Sequence, residues 1–140
     1  MLVNKEIALG LKRIGFDEPC WNVSPSDSDL CFRPGVQKWE SGIRNSDLSG
    51  FPKREWYDNS QACTRPDKSD VFAWFRKKLI FGVTHPMLCG NFYSYVYRDG
   101  ETFVSPNPPH DEFETWEEAE DACILKMIEL CGDTTGQKEG

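Results

Sequence analysis

Six cysteines, two histidines and a late run of carboxylates are the side chains of this sequence that could carry chemistry. Cys20, Cys31, Cys63, Cys89, Cys123 and Cys131 lie 11, 32, 26, 34 and 8 positions apart. No Cys-x-x-Cys pair occurs, so neither a zinc ribbon nor a dithiol redox pair is signalled. His85 and Cys89 stand four apart, but Pro86 and Gly90 mark a turn there, not a helical pair of ligands. No metal and no other cofactor is expected. Gly10, Gly15, Gly35, Gly42 and Gly50 fit no phosphate loop or dinucleotide spacing. Neither a Gly-x-Ser-x-Gly elbow nor a His-Glu-x-x-His pair is present. The residues make no positive case for an enzyme.

The carboxylates between Asp111 and Asp121 are the other temptation, as an acid/base pair or a magnesium site. Glu112, Glu114, Glu117, Glu118 and Asp121 are neighbours around one helix start, where the helix dipole favours negative charge. Catalysis needs groups converging from several elements. Charge is nonetheless uneven along the chain. Residues 1–68 hold ten bases and ten acids, whereas residues 111–140 hold two and ten, within a net charge of −7. A nucleic-acid binder needs cations to displace phosphate counterions. Here the dense basic cluster is Arg76-Lys77-Lys78, which reads as the cationic end of a helix. Direct nucleic-acid binding is therefore not expected. The acidic face, Glu112 to Asp121, keeps a different alternative open: a mimic of nucleic acid that occupies a host DNA- or RNA-binding or defence protein.

Those residues must be positioned by a fold, and 140 residues suffice for one domain. Leu, Ile, Val and Phe number 31, or 22%, enough to escape the disordered class. Apolar runs are far too short for a membrane span, and the polar opening Met1-Leu-Val-Asn-Lys-Glu6 reads as no secretory signal. A cytoplasmic protein with reduced thiols is expected.

Asn4 to Ile14 reads as a helix, with Ile7, Leu11 and Ile14 on one face, Asn4 as N-cap and Gly15 as left-handed stop. Short strands are expected at Cys20–Val23 and Leu30–Phe32. A second helix starts around Arg65-Pro66, has i, i+4 and i+8 matches among Val71, Phe72, Trp74, Phe75 and Leu79, with Trp74 and Phe75 read as core, and ends at Gly82. Strand-like runs follow at Leu79–Val83, before a Thr84-His85-Pro86 turn, then at Asn91–Tyr97 and Glu101–Ser105. Asp99-Gly100 between the last two is a strong hairpin signal. Thr115-Trp-Glu-Glu118 is a capping box opening the last helix, whose stripe is Ala119, Cys123, Met127 and Leu130 and whose end is Gly132. The expected fold is α+β: a small antiparallel sheet in helix, three-stranded meander, helix order, within one domain over 1–132 and a frayed tail over 133–140. That order echoes the double-stranded RNA-binding fold, yet Thr115-Trp-Glu-Glu-Ala-Glu-Asp121 carries the opposite sign to that fold's phosphate-holding helix start.

Residues 17–64 lack a sustained period, and Pro, Gly, Ser, Asn and Asp fill 22 of those 48 positions. The stretch still carries Trp21, Phe32, Trp39, Phe51, Trp56 and Tyr57, which a solvated linker would not. It reads as a long ordered excursion over 23–60, and such loops carry function more often than short ones. Trp39, Arg54, Trp56 and Tyr57 are the candidate partner-binding residues there, since Trp, Tyr and Arg dominate interface hot spots. Trp21 is expected to be structural.

Ile14-Gly-Phe-Asp-Glu-Pro-Cys20, Ala73-Trp-Phe-Arg-Lys77 and Thr115-Trp-Glu-Glu-Ala-Glu-Asp-Ala-Cys123 resemble small proteins of gut Bacteroidetes and their phages. The resemblance touches the first twenty residues and most of 62–131, and leaves 23–60 uncovered. It implies a phage or mobile-element context. The leading expectation is a non-enzymatic domain that binds a protein partner and modulates a host protein. The alternatives are the acidic mimic and a small-ligand binder walled by the aromatic loop.

Overall fold

The computed structural model describes residues 1–24, 41–48, 61–104 and 112–139. The fold is α+β: among the described residues there are four helices and two antiparallel sheets, of two and three strands. The chain divides into two compact units, Met1–Lys68 and Ser69–Gly140. Among the described residues no helix is long and apolar enough to cross a membrane, and no cysteine forms a disulfide.

The first unit opens with α1 (Lys5–Arg13), whose first turn is capped by Asn4 Oδ1 accepting from the Ile7 N–H at 2.9 Å. Its end is a Schellman motif. Phe16 N–H donates to Leu11 O at 2.9 Å, Gly15 N–H donates to Lys12 O at 3.2 Å, and Gly15 takes φ of 92°. Ile7, Ala8 and Leu11 are buried on one face. Strand β1 (Val23–Ser24) pairs antiparallel with β2 (Cys63–Thr64), with Val23 opposite Thr64. Here the fold departs from the expected strands. Cys20 makes an isolated bridge with Ile43, the partner of Val23–Ser24 lies forty residues on, and Leu30–Phe32 falls outside the described residues. A short helix α2 (Asn45–Leu48), which no sequence period announces, lies between them. Val23, Ile43, Leu48 and Ala62 form a buried apolar cluster. Trp21, expected to be structural, is 41% exposed.

The second unit takes in α3 (Lys68–Lys77) from its second residue on, followed by β3 (Ile80–Pro86), β4 (Phe92–Arg98), β5 (Glu101–Val104) and α4 (Trp116–Glu139). Helix α3 starts after the expected Arg65-Pro66 and ends before Gly82. Lys78 and Leu79 N–H groups donate to Phe75 O and Arg76 O, and Leu79 adopts φ of 62°, turning the chain into β3. Gly82 is no stop signal but the middle of that strand. Thr84-His85-Pro86 continues β3, and the reversal comes at Met87–Gly90, where Gly90 N–H donates to Met87 O. The other hairpin forms as read: Asp99 and Gly100 take φ of 53° and 80°, the twist that a two-residue turn requires. Strand order is β3-β4-β5, a meander.

Helix α4 starts on the expected cap, with Thr115 Oγ1 accepting from Glu118 N–H at 3.1 Å. Its stripe is the expected one: Ala119, Cys123, Ile124 and Met127 are fully buried and Leu130 nearly so. It runs through Gly132 to Glu139, beyond the expected end. A helical glycine costs about 1 kcal/mol against alanine, which a helix anchored by a packed stripe can absorb. Trp74 and Phe75 belong to the core, as helical spacing predicts.

Candidate recognition face

Side chains alternate across a strand, so the meander has two faces. One carries Ile80, Gly82 and Thr84 of β3 opposite Arg98, Val96 and Ser94 of β4. Val96 and Ser94 are fully buried there. A Cβ on Gly82 would lie 2.7 Å from Cys123 Sγ, 2.8 Å from Phe72 Cε1 and 2.9 Å from Met127 Sδ. Helix α4 therefore approaches β3 as closely as a bare backbone permits. Its Cys123 thiol donates to Tyr95 O at 3.6 Å, and burial pushes that thiol up to about 12. Arg98 reaches past the sheet to donate from Nη1 to Leu130 O at 2.8 Å.

The opposite face is built from larger groups. Phe81, Val83 and His85 of β3 stand directly across from Tyr97, Tyr95 and Tyr93 of β4, and Thr102 of β5 pairs with Tyr97 on the same side. Cross-strand aromatic pairs of this kind are the unit of sheet stabilisation. The His85 ring lies 3.8 Å from that of Tyr93, edge on, and Tyr93 stacks on Tyr95 at 6.1 Å. His85 Nδ1–H donates to Pro86 O at 3.1 Å. Phe81 is 37% and Tyr97 45% exposed, while Val83, His85, Tyr93 and Tyr95 are half-buried. Phe81, Val83, His85, Tyr93, Tyr95, Tyr97 and Thr102 include no carboxylate, ammonium or guanidinium.

The helix-side face holds Ile80, Gly82, Val96 and, by register, Phe92 and Phe103, with Thr84 and Ser94 among them, and Phe92 meets Trp116 of α4 edge on. The opposite face carries Phe81, His85 and the three tyrosines.

The sequence-predicted site residues are of two groups. Trp39, Arg54, Trp56 and Tyr57 lie outside the described residues. The acidic set gathers at the start of α4, but not as a converging site. Glu114, Glu117 and Glu118 are exposed, Glu112 accepts from Asn91 Nδ2 at 3.2 Å, and Asp121 is half-buried one turn on. Among the described residues no group of three His, Cys, Asp or Glu could hold a metal ion. What sequence reasoning missed is the tyrosine phase of Phe92-Tyr-Ser-Tyr-Val-Tyr-Arg98. Three tyrosines alternate with Ser94 and Val96, so they must share a face opposite to the one that buries Val96. The chain matches no family model, no curated protein and no solved structure.

Proposed function

We propose that this protein is a non-enzymatic binding domain that recognises a protein partner through the open face of β3-β4-β5. The observation that carries the reading is the concentration of aromatics on the face opposite α4, Phe81, His85, Tyr93, Tyr95 and Tyr97, of which Phe81 and Tyr97 are exposed. Protein interfaces are enriched in Tyr and Phe and depleted of charged residues at their centres, and this face has that composition. Its lack of a cation weighs against nucleic acid, because stacking platforms for single strands sit in positively charged grooves. The acidic start of α4 is accounted for by its capping box and dipole, so the mimic reading has the weaker support. The resemblance carried by residues 14–20, 73–77 and 115–123 supports a phage or mobile-element setting and a host protein as the partner. Cys89, an exposed thiol, suits the reducing cytoplasm.

The test is capture from a lysate of the native host, with wild-type protein and the Tyr93→Ser/Tyr97→Ser variant as baits. At least one protein retained in stoichiometric amount by the wild type should be lost with the variant at unchanged melting temperature. The same set of captured proteins on both baits, or none on either, contradicts the reading.

A further inference from the structure

The recognition face also constrains the chemistry of what it binds. We propose that the occupant is a proline-rich segment of the partner, extended as a polyproline II helix across Tyr93, Tyr95 and Tyr97; this rests on the face being a recognition surface.

Charge is the first constraint. The seven named side chains of the face carry neither a cation nor a carboxylate, so neither a polyanion nor a basic peptide finds a counter-charge there. The segment that seats on it is neutral where it touches. Hydrogen bonding is the second. The face is apolar ground with donors set into it, the three phenol hydroxyls. A polyproline II chain has no internal hydrogen bonds, and its carbonyls must find donors outside it. Such a chain also loses little entropy on docking, because its conformation is already formed, and aromatic-lined surfaces are its usual seat. Dimensions agree. Rings on alternate strand residues recur every ~6.7 Å, so Tyr93 to Tyr97 spans ~13 Å, the length of about four residues at 3.1 Å each. Tyr93 and Tyr95 stack at 27°, and the His85 ring closes edge on against Tyr93.

A second copy of the chain fits less well. A stable interface needs about 20–30 residues from each side, whereas the register puts eight on this face, Val104 opposite Tyr95 included, and two chains of net charge −7 repel each other.

The experiment is an amide NMR titration of the full-length protein with decaproline, run beside a ten-nucleotide oligothymidylate and a light-scattering measurement of mass at the same concentrations. Decaproline should give saturable shifts in β3 and β4 and leave the mass at that of one chain plus peptide. Tyr97→Ala, whose ring is already half in solvent, and Tyr95→Ala should each weaken binding by tenfold or more at unchanged fold, and Tyr95→Phe by less. The proposal is overturned by an absent or unsaturable decaproline response, by one indifferent to Tyr97→Ala, by oligothymidylate saturating the same amides, or by dimers forming through the face. Host-lysate capture that depends on Tyr93 and Tyr97, without any decaproline response, would overturn the proline-rich occupant and leave the recognition face standing.

Discussion

Residues 1–68 and 69–140 solve the same problem by different means. In the first unit the strands are two residues long, too short to hold a hairpin together by their own ladder. Polar side chains that reach buried backbone do the fastening. Lys5, itself buried, donates from Nζ to Ser24 O and Gln61 O, and Lys12 donates to Ala62 O at 2.7 Å. Arg65 Nε donates to Val3 O at 2.8 Å. Asn45 bridges two elements, donating to Phe16 O at 2.8 Å and accepting from Thr64 N–H at 2.9 Å. The second unit has a full meander and an apolar helix laid on it, and its fastening is packing. The two buried thiols register the difference. Burial raises both Cys63 and Cys123, but Lys5, Arg65 and Lys12 oppose the rise at Cys63. At Cys123 no cation does so, and Glu120 adds to the rise. Among the described residues α4 packs on one side of the meander, and Phe81, His85, Tyr93, Tyr95 and Tyr97 lie on the other.

The contrast is broken or sharpened by substitution. Met127→Ala removes a fully buried side chain beneath Gly82. It should cost about 2–5 kcal/mol in urea unfolding, and a loss under 1 kcal/mol would mean that packing is not what holds the second unit. Lys5→Met keeps the volume and adds apolar surface, so a packing account predicts a gain. We expect a loss of about 2 kcal/mol, because two buried carbonyls lose their donor. Faster amide exchange at Thr64 and Arg65 should accompany it, and a more stable Lys5→Met protein would remove the distinction.

Alkaline pH probes the same contrast. The folded Cys123 thiol keeps its proton to about 12, whereas the unfolded chain releases it near 9.0. The folded state then binds more protons, so stability falls as pH rises from 9 toward 12. At pH 10 the loss from this group is about 1.4 kcal/mol, and Cys123→Ala should lack it when the two unfolding free energies are compared across pH. Thr115→Ala removes the cap of α4 and should cost about 1 kcal/mol. Leu79→Asn is the smallest effect and has the opposite sign. An exposed leucine at φ of 62° gives way to a residue that tolerates that region, raising stability by about 0.5–1 kcal/mol in the same assay.

Local signals in the sequence were legible where one residue settles one hydrogen bond. Asn4, Gly15, Asp99-Gly100 and Thr115 each do so, and each element they bound is found where they place it. Pairings over long separations were not. Val23 opposite Thr64 leaves no period in two-residue strands. Gly82 reads locally as a stop and is globally a point of close approach, which only the positions of Cys123, Phe72 and Met127 reveal. Gly132 reads the same way and is crossed by α4. The aromatic face of the meander was half legible. Alternation groups Tyr93, Tyr95 and Tyr97, but which side the helix covers depends on α4, which lies beyond a second hairpin. Trp39, Arg54, Trp56 and Tyr57 stand out in the sequence because an aromatic loop is unusual in composition, and they lie outside the described residues, whereas an aromatic strand reads as core.

The claim that these tyrosines serve recognition and not packing is tested most directly by a single variant measured twice. For Tyr97→Ala the unfolding free energy in urea and the capture of the host partner per folded molecule should be compared with wild type. The account predicts a stability change within about 1 kcal/mol, as for a surface-edge residue, together with loss of capture, as for an interface anchor. A loss of about 3–5 kcal/mol, the cost of deleting a buried aromatic, with capture per folded molecule unchanged, would contradict it.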